Sequence, residues 1–97
     1  MEKLLEREET IIRQKPSNWK LILYNDDFIS FEYVIHAMIH VFDKNMDDAI
    51  SITGAAHLNG TAIIGIYSED KARKKLDELE RMNKKSGYDL YVGMEEA

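Results

Sequence analysis

The stretch that most constrains the fold is a short apolar run that ends abruptly in three polar residues. Residues 21–24 read Leu-Ile-Leu-Tyr and are followed at once by Asn25, Asp26 and Asp27. Apolar runs of this length are typical of strands, whereas Asn and Asp are depleted in strands and favoured in turns. The pattern predicts a strand that leads into a polar elbow, residues 25–27, with two carboxylates and an amide side by side. Such an elbow can bind a cation or an ammonium group, or it can be a plain Asx turn that caps the next helix.

The rest of the chain predicts two further strands and three helices. Apolar residues at helical spacing begin after Ser30, a second helix follows Asn45 and runs to about His57, and a third follows Ser68 and stops at Gly87. The predicted strands are residues 19–24, 61–67 and 88–94, and the second is apolar enough to be central. The order β-α-α-β-α-β predicts a single small α+β domain, in which three helices cover a three-stranded sheet.

Length and composition narrow the class of protein. The chain has 97 residues, which fits one domain, and it has no cysteine, which excludes disulfides, thiolate metal sites and a cysteine nucleophile. Its net charge of −5 argues against nucleic acid as a partner and permits the binding of cationic groups. No apolar stretch is long enough to span a bilayer, so a membrane is not expected as a partner and a cytoplasmic location is predicted.

The first 17 residues differ in character from the rest. They mix acidic and basic residues with few apolar ones, and Pro16 would break a helix that reached it. The start is too acidic for a signal peptide. We therefore predict a flexible N-terminal arm at residues 1–17 and a folded core at residues 18–97.

Few residues form patterns that indicate catalysis or a metal. His36 and His40 lie four residues apart and Asp43 follows, so one face of the first helix could hold a metal ion, although a solvated helix face explains the spacing equally well. The sequence has no glycine-rich phosphate loop, and nothing groups its Ser, His and Asp residues as a triad. An enzyme is not supported, and no cofactor is predicted.

A longer pattern resembles the ClpS family of adaptor proteins. It comprises the elbow with Phe28, then Glu32 before Tyr33-Val34, and the run Ala-His-Leu-Asn-Gly-Thr-Ala-Ile-Ile-Gly-Ile-Tyr-Ser at residues 56–68. The resemblance covers residues 19–95, nearly all of the predicted core, and implies an α+β fold with the element order given above. It also implies a non-catalytic adaptor, which would bind N-degron substrates and deliver them to a ClpA- or ClpC-type AAA+ unfoldase of the Clp protease.

The resemblance implies roles for particular residues. Asn25 and His57 would contact the free α-amino group of the substrate, and Asp26 would supply negative charge and an acceptor. Three acceptors suit an ammonium group, because it has three donors. Asp70 and Lys75 match family positions that touch the unfoldase, and Lys75 is expected to face water on the polar side of the third helix. Residues 1–17 match an arm that engages the unfoldase during delivery. The residues that would line a pocket for the bulky hydrophobic first side chain are Ile29, Phe31, Val34, Thr53, Ala56, His57 and Met94.

The sequence departs from the family pattern in the implied pocket. Ile29-Ser30-Phe31 stands where the family usually has Thr-Pro-Met, Thr53 replaces a methionine that commonly gates the pocket, and Ala56 replaces a valine. The implied ammonium ligands are intact, so the resemblance implies the same binding mode with an altered side-chain preference. Two alternatives stay open: an unfoldase-docking module with altered or lost degron binding, and a metal-binding protein that uses His36, His40 and Asp43.

Overall fold

The computed structural model describes residues 18–97, and the predicted arm at residues 1–17 lies outside the described residues. The described part has the predicted order β-α-α-β-α-β, which confirms the fold class. The elements in chain order are β1 (Trp19–Tyr24), α1 (Phe31–His40), α2 (Met46–Asn59), β2 (Thr61–Tyr67), α3 (Glu69–Ser86) and β3 (Val92–Glu96).

The helix boundaries follow from capping residues. The side chains of Ser30, Asn45 and Ser68 accept hydrogen bonds from backbone N–H groups three residues later, at 3.2, 2.8 and 3.3 Å. At the other ends, Gly60 after α2 and Gly87 after α3 have φ angles of 92° and 82°, which glycine adopts readily. The predicted starts of the three helices and the predicted end of α3 are confirmed, whereas α2 continues to Asn59, two residues beyond its predicted end.

The sheet is antiparallel, with strand order β2-β1-β3, so β1 is the central strand. The prediction that β2 is central was wrong. The chain leaves β2 through α3 and returns along the free edge of β1, which leaves β2 at the opposite edge. Ile63 and Ile66 on β2 are 57% and 59% exposed, so the apolar character of that strand does not reflect burial on both faces.

The last strand begins at Val92, four residues later than predicted. The side chain of Asn83 binds Leu90, two residues before the strand: its amide nitrogen donates to the Leu90 carbonyl at 2.9 Å, and its oxygen accepts from the Leu90 N–H at 3.3 Å. Both backbone groups of Leu90 are therefore already used. Pairing with β1 starts at Val92, opposite Leu23.

The core lies between the helices and one face of the sheet. Leu21 and Leu23 of β1 are buried against Val34 and Met38 of α1, and α3 adds Ala72 and Leu79. Burial of this apolar surface is the main contribution to stability. One member of the predicted apolar stripe of α1 is exposed: Phe31 is 47% exposed, at the end of the helix that adjoins the polar elbow.

Candidate functional site

The polar elbow is held in shape by its own side chains. Asp26 accepts the Phe28 N–H at 2.9 Å, which makes an Asx turn, and the amide nitrogen of Asn25 donates to Asp27 at 3.1 Å. Asn25, Asp26 and Asp27 are all exposed. The amide oxygen of Asn25 has no hydrogen-bond partner in residues 18–97, and Asp26 keeps a second carboxylate oxygen free to accept. The elbow thus presents acceptors to solvent in a fixed arrangement.

A long-range backbone contact places the elbow beside the end of α2. The Asn25 N–H donates to the Gly60 carbonyl at 2.9 Å, immediately after the last residue of that helix. Because the α2 residues that precede Gly60 include Ala56 and His57, this bond brings them toward the elbow. The resemblance implied that Asn25 and His57 lie close enough to share a ligand, and this bond is the contact that brings their elements together.

A narrow cleft joins the elbow to the core. It encloses about 10 Å³ of free space and combines polar groups of the elbow with apolar side chains from β1, α1 and α2. Its inner wall is buried, whereas Phe31 at its edge is half exposed. The residues that line it are Leu23, Tyr24, Asn25, Asp26, Ile29, Phe31, Val34, Thr53 and Ala56.

The histidine expected at this site stands beside the cleft. His57 is exposed, and its ring packs edge-on against Phe31, with centroids 5.1 Å apart and planes inclined by 77°. Neither ring nitrogen has a hydrogen-bond partner among the described residues, so both can meet a ligand. The contact links Phe31 to the group expected to bind an ammonium.

Of the seven residues implied to line the pocket, five line the cleft, and His57 and Met94 do not. Met94 lies on β3 opposite Leu21, packs against the core, and is not part of the cleft lining. Two lining residues were missed, Leu23 and Tyr24, which end β1 just before the elbow. Strand alternation, which puts Leu23 on the buried face, was the signal available for that residue.

Comparison with known proteins identifies the family to which this chain belongs. The family model described as "ATP-dependent Clp protease adaptor protein ClpS" matches residues 14–93. This chain belongs to the ClpS family. It is 41% identical over 83 residues to the ATP-dependent Clp protease adapter protein ClpS of Clostridium acetobutylicum, covering 86% of this chain and 82% of the relative. It is 39% identical over 88 residues to the ClpS of Leptospira biflexa, covering 90% and 78%.

A solved ClpS structure shares the fold. Agrobacterium tumefaciens ClpS2 bound to L-phenylalaninamide superposes with a TM-score of 0.76 at 28% identity, covering 84% of this chain and 98% of that one. The predicted family and the α+β fold are both confirmed. Because ClpS proteins are named as adaptors of the Clp protease, the chain is an adaptor and not a catalyst.

Of the two residues expected to dock the unfoldase, one is buried. Asp70 is exposed on α3, but Lys75, which was expected to face water, is only 7% exposed. Its ammonium group donates to the Asp43 carboxylate at 2.7 Å and to the Val41 carbonyl at 3.0 Å, and lies 5.9 Å from the centre of the Tyr67 ring. The expectation of a free surface charge was wrong, because the loop after α1 folds over Lys75 and uses its donors.

This ion pair also bears on the metal alternative. Asp43, which would have been the third ligand, is turned to Lys75, while the rings of His36 and His40 lie against each other with centroids 4.1 Å apart. Residues 18–97 contain no group of three His, Cys, Asp or Glu side chains that could hold a metal ion. The structure therefore gives the metal-binding alternative no support in this part of the chain.

The Lys75–Asp43 pair predicts a pH-dependent part of the stability. Lys75 lowers the pKa of Asp43 below its ordinary value of 3.8, first through the hydrogen bond and then through its charge. A lowered pKa in the folded state stabilises the protein above the unfolded-state value, and this stabilisation is lost as the pH falls through the folded-state value. We expect Asp43→Asn to lower the free energy of unfolding near neutral pH, with the deficit vanishing in acid. Urea unfolding across the acid range measures this.

A matched control for that experiment is Asp89→Asn, which removes one carboxylate in an exposed loop position without touching the pair. Its free energy of unfolding is expected to stay close to that of the unmodified protein at every pH measured. An Asp43→Asn deficit that persists unchanged below the folded-state pKa would show that the loop geometry, and not the charge pair, is responsible.

Within residues 18–97, no helix has both the length and the apolar character needed to cross a bilayer.

Proposed function

We propose that this ClpS family member binds the free α-amino group and the large apolar first side chain of N-degron peptides, and delivers their proteins to a ClpA- or ClpC-type unfoldase. The observation that carries the proposal is the composition of one cleft. Asn25 and Asp26 line it at the elbow, while Ile29, Val34 and Ala56 line it on the buried side. The first residue of such a peptide carries an ammonium group and an apolar side chain on the same carbon. The ammonium group matches the polar half of the cleft at the elbow, and the side chain matches its apolar, buried half.

The polar half suits an ammonium group. Asn25 is oriented by its bond to Asp27, which leaves its amide oxygen as an acceptor, and Asp26 supplies a carboxylate. His57 offers an unpartnered ring nitrogen beside Phe31. Three such acceptors with net negative charge complement a cation with three donors.

The apolar half requires a change of side-chain position when the ligand enters. The free space of about 10 Å³ has room for about one water molecule, which is smaller than a leucine side chain. Phe31 is the half-exposed apolar wall, so it can move toward solvent with the least disturbance of the buried core. We propose that the first side chain takes the space between Phe31 and the buried wall.

The relative bound to L-phenylalaninamide supports the proposal. That ligand is the amide of an amino acid with a free amino group and a benzyl side chain, and it was bound by ClpS2 of Agrobacterium tumefaciens, which shares this fold. The same two chemical groups are the ones that the cleft of this chain matches.

The test is a set of peptides that differ only in the first residue. Peptides that begin with Leu or Phe should bind, and peptides that begin with Gly, Asp or Lys should bind far more weakly. Gly has no side chain to fill the apolar half of the cleft, and Asp or Lys would bury a charge there. Fluorescence anisotropy with labelled peptides measures the affinities. If no peptide binds while an unfoldase N-terminal domain does, the chain is the docking module with lost degron binding.

Unfoldase docking is the second part of the proposal, and Asp70 is the residue that tests it. We expect Asp70→Lys to weaken binding of a ClpA- or ClpC-type N-terminal domain while peptide affinity stays unchanged. Asp70 is exposed on α3 and is not part of the cleft. Lys75→Glu is a poor test, because it would place a carboxylate against Asp43 and destabilise the fold. Glu80→Lys, which changes the same charge elsewhere on α3, is the control; a loss as large as that of Asp70→Lys would mean that only net charge matters.

The arm at residues 1–17 remains a prediction, as does a cytoplasmic location. Deletion of residues 1–17 is expected to spare peptide binding and unfoldase docking and to block degradation of a substrate. A purified unfoldase–protease system with a Leu-starting fluorescent substrate measures delivery. Full delivery by the shortened protein would contradict a role for the arm.

A further inference from the structure

We propose that the hydroxyl of Thr53 is a specificity-determining group, which hydrogen-bonds a polar atom on the first side chain of the peptide. This inference rests on the proposed function, since it requires that side chain to enter the cleft. It adds a polar element to a pocket that would otherwise select only by size and apolar surface.

The observation is an unpartnered hydroxyl in an otherwise apolar wall. Thr53 is only 4% exposed, it lines the cleft, and its Oγ1 has no hydrogen-bond partner among the described residues. Buried polar groups in proteins are nearly always hydrogen-bonded, and leaving one unmatched is costly. The other buried residues that line the cleft are Leu23, Ile29, Val34 and Ala56.

The neighbouring groups do not satisfy this hydroxyl. A helical threonine commonly donates to the carbonyl four residues earlier, here Ala49, but Thr53 does not do so in this structure. The polar side chains that share the cleft, Asn25 and Asp26, are exposed at the elbow, and neither of their free oxygens bonds the Thr53 hydroxyl. The group that enters the cleft is therefore the natural partner.

The chemistry of that partner follows from where the peptide is held. Its amino group is assigned to the elbow, so the atom that reaches Thr53 belongs to the side chain. A hydroxyl both donates and accepts, so a hydroxyl on the ligand suits it. A threonine ligand would offer the group close to its Cβ, and a tyrosine ligand would offer it at the tip of the ring. The two hydroxyl groups would therefore lie at different depths in the cleft, and the experiment distinguishes a threonine ligand from a tyrosine ligand.

The experiment compares peptides in pairs of similar shape. One pair begins with Tyr or Phe and the other with Thr or Val, and each is measured against the unmodified protein, Thr53→Val and Thr53→Ser. Thr53→Val keeps the shape and removes the hydroxyl, whereas Thr53→Ser keeps the hydroxyl and removes a methyl group. We expect the preference for the hydroxyl-bearing member of at least one pair to fall by about 3- to 10-fold in Thr53→Val, the range for one neutral hydrogen bond, and to persist in Thr53→Ser.

The outcomes also separate this inference from the proposed function. If Thr53→Val changes neither preference, the inference is overturned. If in that case a Leu peptide still binds and still needs its free amino group, the proposed function stands without it. If no peptide binds the unmodified protein, both fall. Urea unfolding of both variants confirms that the fold is retained.

Discussion

Acetylation of the α-amino group is expected to abolish binding of peptides that begin with Leu or Phe. It removes the positive charge and one or more donors, and it adds bulk where the ligand should face Asn25, Asp26 and His57. The carboxylate of Asp26 would then be covered by the ligand without an opposite charge, which is unfavourable. Isothermal calorimetry on free and acetylated peptides of the same sequence measures the difference. Equal affinity for the two would contradict the proposed function.

The role of Asp26 itself can be divided into charge and geometry. Asp26→Asn removes the charge but keeps an oxygen that can accept the Phe28 N–H, whereas Asp26→Ala also removes the Asx turn. We expect Asp26→Asn to weaken binding by about 2 kcal/mol or more, the lower range for truncating one partner of a hydrogen-bonded charge pair. Asp89→Asn is the matched control for net charge, because it lies outside the cleft. If only Asp26→Ala weakened peptide binding, the role of Asp26 would be to hold the Asx turn and not to supply charge.

Peptides that begin with Ile or Val are expected to bind this protein with an affinity within about tenfold of that for peptides that begin with Leu. The variant Thr53→Met is expected to lose affinity selectively for the Ile and Val peptides. Thr53 and Ala56 are short side chains that line the cleft, so the wall near a branched Cβ carries little bulk. One methylene in such a pocket changes discrimination by about 10- to 200-fold. We therefore expect Thr53→Met to lower the affinity for Ile and Val peptides by about tenfold or more and to retain Leu binding. Fluorescence anisotropy measures all three peptides.

The interpretation of that variant needs a stability control. Thr53 is buried, and adding methylenes to a well-packed site costs about 1–3 kcal/mol, so Thr53→Met should be compared with Thr53→Val in urea unfolding. The expected pattern is a changed ratio between peptides and not a uniform loss. If Ile and Val peptides fail on the unmodified protein while Leu binds well, Phe31 and Ile29 close the wall, and Thr53 does not set the preference.

Phe31 shows why the sequence pattern could mislead about the cleft. Its position in the apolar stripe of α1 predicted burial, yet it is half exposed beside His57. Periodicity indicates which face of a helix is apolar, but it does not show where the core ends. Phe31 lies in the first turn, at the edge of the core, so part of its ring covers the cleft instead of filling the interior.

The features that the sequence determined by itself depend on contacts between near neighbours in the chain. The caps at Ser30, Asn45 and Ser68 each use an N–H group three residues away, and the Asx turn at Asp26 uses one two residues away. Because the partners are almost adjacent, residue types alone predict the strand end, the elbow and the helix starts. The ClpS resemblance includes the elbow and Ser68, and its longest run, residues 56–68, also spans the end of α2 and all of β2.

What only the tertiary structure decided depends on partners far apart in sequence. The Asn25 N–H and the Gly60 carbonyl join the elbow to α2, and Lys75 pairs with Asp43 across 32 positions. The central place of β1 likewise follows from the path that α3 takes from β2 to β3. Such contacts form only when the whole core packs, and residue type does not reveal them. A lysine on a polar helix face became a buried group, and a threonine on a small-residue helix became the unpartnered hydroxyl of the cleft, because other elements folded over them.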